Sequence, residues 1–113
     1  MIIPTFNSSA YIAETLASVL SQTYAEIEVI VVDDASSDRT VDAVKAFADQ
    51  RIKLVRHGRN RGPGAARNTG MAAAQGRWVA FVDSDDQMKA DRVEKLVAAI
   101  ADAGEGFFVA DDE

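Results

Sequence analysis

The chain of 113 residues has no cysteine and a single histidine, His57. A disulfide framework and a zinc-thiolate site are excluded, and so is any metal site built from several histidines. A reducing, cytoplasmic setting fits this composition. No run of about 18 apolar residues occurs, so no segment reads as a membrane-spanning helix. The N-terminus has no basic region followed by a long apolar stretch, which argues against a secretory signal. Basic residues number 12 against 18 acidic ones, and the net charge of −6 speaks against a nucleic-acid polymer as partner. Two phosphate-binding patterns are also missing. There is no GxxxxGK[ST] loop and no GxGxxG fingerprint, so neither a Walker-type nucleotidase nor an ordinary dinucleotide enzyme is supported.

What is present points to one core. Apolar residues make up 48% of the chain, and its length suits a single domain over residues 1–113. Strand-like and helix-like segments alternate throughout. Ile2-Ile3 reads as a short strand. Asn7-Ser8-Ser9 offers capping side chains to a helix that buries Ile12, Leu16, Val19 and Leu20. Ile27 to Val32 is a β-branched run of the kind buried in parallel sheets. Ser36 and Ser37 offer caps to a helix burying Val41, Val44, Phe47 and Ala48. Ile52 to Val55 is a third strand. Pro63 suits the first turn of a helix over Ala65 to Gln75, with Gly76 as its stop. Trp78 to Val82 reads as a fourth strand buried on both faces. Val93, Leu96, Val97 and Ile100 mark a last helix, capped by Gly104. Phe107 to Ala110 looks like a strand that stops as it begins, and the opening Ile2-Ile3 looks like the end of one. A portion of a longer protein is therefore expected.

Such alternation predicts an α/β fold, a three-layer α/β/α sandwich around a mostly parallel sheet. Ligands of these sheets collect at the carboxyl ends of the strands. Three unusual segments follow strands and would meet there. One is Pro4-Thr5-Phe6-Asn7. The second runs from Asp33 to Asp38. The third is Asp83-Ser84-Asp85-Asp86, where an apolar run ends in three carboxylates. Like charges this close repel, so a cation is expected beside Asp83, Asp85 and Asp86. Mg²⁺ or Mn²⁺ held jointly with substrate phosphates answers that need, against the plainer reading of a solvated acidic turn. In the second segment a ligand role goes to Asp34 first and Asp33 second, where a carboxylate can accept a base N–H. Ser37 and Asp38 are assigned to helix capping. The loop from Arg56 to Gly70 supplies arginines and a helix start suited to anions. Arg59 and Arg61 read as solvated, and Arg67 as directed. His57 reads as a loop histidine, and Trp78 and Phe81 as core. Phe6 suits stacking on a base or packing on the sheet.

Taken in order, these segments resemble the nucleotide-sugar-binding half of a family 2 glycosyltransferase. The resemblance rests on IIPTFN, VDDASSDRT, Asn60-Arg61-Gly62, Ala66-Arg67-Asn68-Thr69-Gly70, Gly76-Arg77-Trp78 and FVDSDD, and runs from Ile2 to about Ala101. It implies a GT-A, Rossmann-like fold, an inverting transfer from a nucleoside-diphosphate sugar (a UDP-sugar is favoured) and a Mg²⁺ or Mn²⁺ ion. Carried over by position, the donor site comprises Pro4, Thr5, Phe6, Asn7, Asp33, Asp34, Gly64, Arg67, Asn68, Asp83 and Ser84. Pro4, Phe6 and Asp34 would line the base pocket, and Arg67 would lie beside the nucleotide. Asp83-Ser84-Asp85 matches the DxD motif, with Asp85 as direct metal ligand, Asp83 bound to ribose or metal, and Asp86 completing the acidic set. The general base of the family lies well downstream of DxD, and no residue here is identified with it. The acceptor, whether glycan, lipid-linked or protein, is unspecified. Two other readings stand beside this one: a binding-only module working with a partner chain, and a nucleotidyltransferase. The latter wants a Gly-rich, Lys- or Arg-containing loop after the first strand, and Pro4-Thr5-Phe6-Asn7 has none. An exposed edge of an incomplete sheet would favour homo-oligomers.

Overall fold

The computed structural model describes residues 1–76, 78–103 and 109–112. The expected Gly104 cap and the start of the fifth strand at Phe107-Phe108 lie outside the described residues. The elements alternate as the sequence predicts: β1 (Ile2–Thr5), α1 (Ile12–Leu20), β2 (Val29–Asp33), α2 (Thr40–Lys45), β3 (Ile52–Arg56), α3 (Pro63–Ala73), β4 (Val79–Val82), α4 (Arg92–Ala103) and β5 (Val109–Asp112). The strands form one sheet in the order β3-β2-β1-β4-β5, and all four pairings are parallel.

Strand alternation divides the core. Ile3, Val29, Val31 and Val82 point to the face that packs Ile12, Leu16 and Val19 of α1, Val44 of α2 and Val93 of α4. Ile2, Ile30 and Val32 point to the other face, against Ala66 of α3. Every residue of β2 is buried, because helices cover both of its faces. Each fully buried Ile, Leu or Val contributes roughly 1.5–3 kcal/mol. β4 is less enclosed than expected: it starts at Val79, and of its four residues only Val82 is fully buried.

The helix ends follow the sequence reading in part. At α1 no side chain caps; the Ser8 carbonyl accepts the N–H groups of Tyr11 and Ile12, both at 2.9 Å. Asn7 is engaged elsewhere, as described below. At α2 the carboxylate of Asp38, rather than Ser36 or Ser37, accepts the Thr40 N–H at 3.0 Å. That helix stops at Lys45, so Phe47 packs on the core from beyond its end and Ala48 is exposed. α3 starts with Pro63 in its first turn, as expected, but stops at Ala73 before Gly76.

The strand order reverses between β1 and β4, and Pro4 helps to open that junction. The carbonyls of Met1 and Thr5 accept N–H groups of Ile30 and Asp34 on the β2 side. By alternation, Ile2 and Pro4 turn their backbone groups toward β4, and proline has no N–H to offer. The two strands pair at one register position only, Ile2 with Phe81. Beyond it they part, at the carboxyl edge, which is where doubly wound sheets hold ligands.

Candidate functional site: a cleft at the switch point

The parting of β1 and β4 leaves a cleft of about 290 Å³, lined by Pro4, Thr5, Phe6, Asp34, Asn60, Gly62, Pro63, Ala66 and Ser84. Of the predicted donor residues, Pro4, Thr5, Phe6, Asp34 and Ser84 thus line one space. Phe6 is 48% exposed and gives the cleft a flat apolar face. Asn60 and Gly62 belong to a segment that carried the family resemblance but were not in the predicted site. Their recurrence in that motif was the available signal.

Asp34 is the most constrained group here. It is 3% exposed, and its Oδ1 accepts from His57 Nδ1 and the Arg61 N–H, while Oδ2 accepts from the Gly62 N–H, each at 2.8 Å. Burial alone would raise this carboxyl. The hydrogen bonds from His57, Arg61 and Gly62 outweigh it and hold the group below its ordinary value. Gly62 reaches this position with φ +92°, a conformation that favours glycine. His57 lies in the loop after β3, as expected, but it is buried, and its Nε2 lies 2.8 Å from Thr69 Oγ1 on α3. Asp33, fully buried, turns inward: it accepts from Ser36 Oγ and N–H and lies 3.8 Å from Arg56 Nε.

The strand-end loops are tied to one another across long stretches of sequence. Asn7, at φ +48°, accepts the Ser37 N–H at 2.8 Å and donates its own N–H to Ser36 Oγ at 2.9 Å. Ser8 donates its N–H to Thr40 Oγ1 at 2.9 Å, and its hydroxyl meets that of Ser84 at 2.6 Å. Thr15 of α1 donates to the Ser84 carbonyl at 2.9 Å. Asp38 accepts from Ser9 and Thr40. Partial burial raises its carboxyl, and these hydrogen bonds, those from Thr40 foremost, override that and bring it to about 2. Its capping role is thus joined to a clamp on the β1 loop.

Directly after β4, Asp83, Asp85 and Asp86 each offer a carboxylate oxygen, all within 4.8 Å of one another. The Asp86 N–H donates to the Asp83 carbonyl at 3.1 Å, a turn that folds the cluster on itself. Opposite ligands of a Mg²⁺ ion stand about 4.2 Å apart at bonds of about 2.1 Å, so a closing of a few tenths of an ångström would let the three share one small divalent cation. Oxygen-only donors also match a hard ion. Ser84, between two of the acids, joins this cluster to the cleft.

Besides Asn7, Asp33 and Asp83, three more predicted residues sit apart from the lining. Gly64, Arg67 and Asn68 all lie on α3. The Arg67 guanidinium sits over Phe81, 5.7 Å from the ring centroid. Asn68 is exposed, and nothing lies within 4 Å of a Cβ added at Gly64. A second cleft of about 270 Å³ opens near the amino ends of the strands, lined mainly by apolar residues such as Ile2, Ile27, Trp78, Leu96 and Ile100. It lies away from the acidic cluster. Among the described residues no helix is long and apolar enough to cross a membrane.

Known proteins resemble this chain in sequence and fold. The chain is 43% identical over 103 residues to the succinoglycan biosynthesis protein ExoO of Rhizobium meliloti, covering 91% of this chain and 30% of that protein. The structure of S. aureus TarS residues 1–349 in complex with UDP-GlcNAc superposes with a TM-score of 0.85 at 38% identity, over 89% of this chain and 30% of that one. The mannosyltransferase PcManGT of Pyrobaculum calidifontis, in complex with GDP-Man and Mn²⁺, gives 0.73 at 36% identity, over 79% and 28% of the two chains. The chain therefore spans under a third of the length of each of these proteins. The pattern of the family described as "Glycosyl transferase family 2" matches residues 1–111, and the chain, with its GT-A fold, belongs to that family.

Proposed function

We propose that this chain is the donor-binding portion of an inverting glycosyltransferase that takes a nucleoside-diphosphate sugar, a UDP-sugar by preference. The observation that carries the reading is the junction of two features at one sheet edge. A cleft with a buried acceptor, Asp34, runs to Ser84, and Ser84 stands within the carboxylate cluster of Asp83, Asp85 and Asp86. The base and ribose fit the cleft between Pro4, Phe6 and Asp34. The diphosphate falls beside the cluster, where a Mg²⁺ or Mn²⁺ ion held by Asp83, Asp85 and Asp86 would neutralise charge on the leaving group. Thr5, Asn7 and Asp33 hold the loops that shape this space, and Gly64, Arg67 and Asn68 present the α3 side of the nucleotide.

Transfer needs more than donor binding. An acceptor hydroxyl must lose its proton to a base on the opposite side of the sugar, help worth about 10²–10⁴-fold. We assign that base to no residue of this chain, and the acceptor is left open. The isolated chain is expected to bind nucleotide weakly and to transfer little or no sugar, and robust turnover onto an added acceptor would refute this. A cytoplasmic location and self-association through an exposed sheet edge complete the proposal.

The test is calorimetry with UDP, GDP and several UDP-sugars, with and without Mn²⁺, on wild type and Asp85→Ala. UDP binding should need the metal and weaken by about tenfold or more in the variant, which corresponds to about 1.4 kcal/mol. Binding indifferent to both metal and Asp85 sinks the assignment.

A further inference from the structure

An ionised carboxylate has about four acceptor positions, two on each oxygen. Three of those on Asp34 are filled. The Oδ1 positions take His57 Nδ1 and the Arg61 N–H, and one Oδ2 position takes the Gly62 N–H. One position on Oδ2 is left, on a residue that lines the cleft. A carboxylate only accepts, so His57 must carry its proton on Nδ1. Arg61 and Gly62 use backbone N–H groups, which any residue but proline supplies. The His57 donor alone is a side-chain choice. Its ring is buried and held from its far side at Thr69, so the donor is fixed in place.

We propose that His57 sets the base preference of the donor site: by filling Oδ1 it leaves Asp34 one acceptor, matched to the single N–H of a uracil imide. Guanine presents two adjacent N–H groups, on N1 and on the exocyclic nitrogen. These seek both oxygens of a carboxylate at once, the paired geometry that guanidinium groups also use. With Oδ1 filled, Asp34 cannot take both N–H groups as a pair, and losing one such hydrogen bond weakens binding by roughly ten- to a hundredfold. His57 acts here through Asp34 and is a positioning residue. The inference rests on the donor-site reading above.

Calorimetric titration with UDP, GDP and inorganic pyrophosphate, each with Mn²⁺, tests it on wild type, His57→Leu and His57→Gln. Wild type is expected to favour UDP over GDP. His57→Leu removes the donor at similar bulk and should lower the UDP-to-GDP affinity ratio by about tenfold, with pyrophosphate affinity unchanged. His57→Gln returns an N–H donor and should keep most of the preference. A folded His57→Leu with the wild-type ratio overturns the proposal. So does an equal loss of UDP and pyrophosphate, the mark of a purely structural prop. Should His57→Leu not fold, Thr69→Val loosens only the far side of the ring; it must lower the ratio, and an unmoved ratio overturns the idea. Failure of the donor-site reading looks different: wild type itself would bind UDP no better than pyrophosphate.

Discussion

Two acidic strand ends face the same edge of the sheet, and the fold treats them in opposite ways. At the end of β2, Asp33 and Asp34 are 0% and 3% exposed, and their oxygens accept from donors on their own loop and on the loop after β3. After β4, Asp83 and Asp86 are half-buried, Asp85 is exposed, and the three crowd within 4.8 Å of one another. A buried carboxylate that accepts several fixed N–H groups is stable as it stands. A cluster of carboxylates gains instead from a cation brought to it. The first pair ties loops together; the second could receive a cation.

The sharpest way to break this comparison is Asp34→Ala. It leaves the Arg61 and Gly62 N–H groups and the His57 ring without their acceptor inside the fold, and should destabilise the chain by about 3 kcal/mol or more in urea unfolding. A loss below about 1 kcal/mol would mean that the loop finds other acceptors and that the first pair is not structural.

Acid should separate the clusters next. The carboxyl of Asp38 sits at about 2 against an ordinary 3.8, and that of Asp34 is also lowered. A depressed carboxyl stabilises the fold fully above its unfolded value and loses that contribution as pH falls through its folded value. Stability should therefore hold above about pH 4 and decline toward pH 2, with the loops after β1 and β2 loosening first. Thermal melts against pH, with backbone NMR on Ser9, Thr40 and Gly62, would report it. Melts that stay flat across this window would count against these hydrogen bonds.

The smallest expected change is the stability of Asp85→Ala. Removing one of three crowded, partly exposed charges should move unfolding by no more than about 0.5 kcal/mol, despite its effect on metal-dependent binding. A large loss would make the second cluster structural too, and the contrast would collapse.

The layout of the fold was legible because its signals are local. The run Ile27 to Val32 reads as an interior strand, which the structure starts at Val29, and Pro63 sits where a first-turn proline belongs. The edges of elements were not legible. α2 stops at Lys45 although the apolar spacing continues through Phe47, because packing rather than helix keeps Phe47 in place. In the site, Asp83, Asp85 and Asp86 could be read as one cluster because four residues of sequence hold them all. The role of Asp34 was half legible: its strand-end place was plain, but its donors at His57, Arg61 and Gly62 come from 23 to 28 residues away. The contacts of His57 were hidden for the same reason, since nothing beside it in sequence tells that both ring nitrogens are engaged.

The hydroxyl contact between Ser8 and Ser84 bridges 76 positions of sequence, and Asn7 reaches Ser37 across 30. Contacts of such span exist only once every intervening strand has found its register, so the cleft cannot form piecemeal. A nucleotide seated there would act on folding as a keystone. Its binding free energy would be felt as resistance of the whole sheet to unfolding, and not as the ordering of one loop.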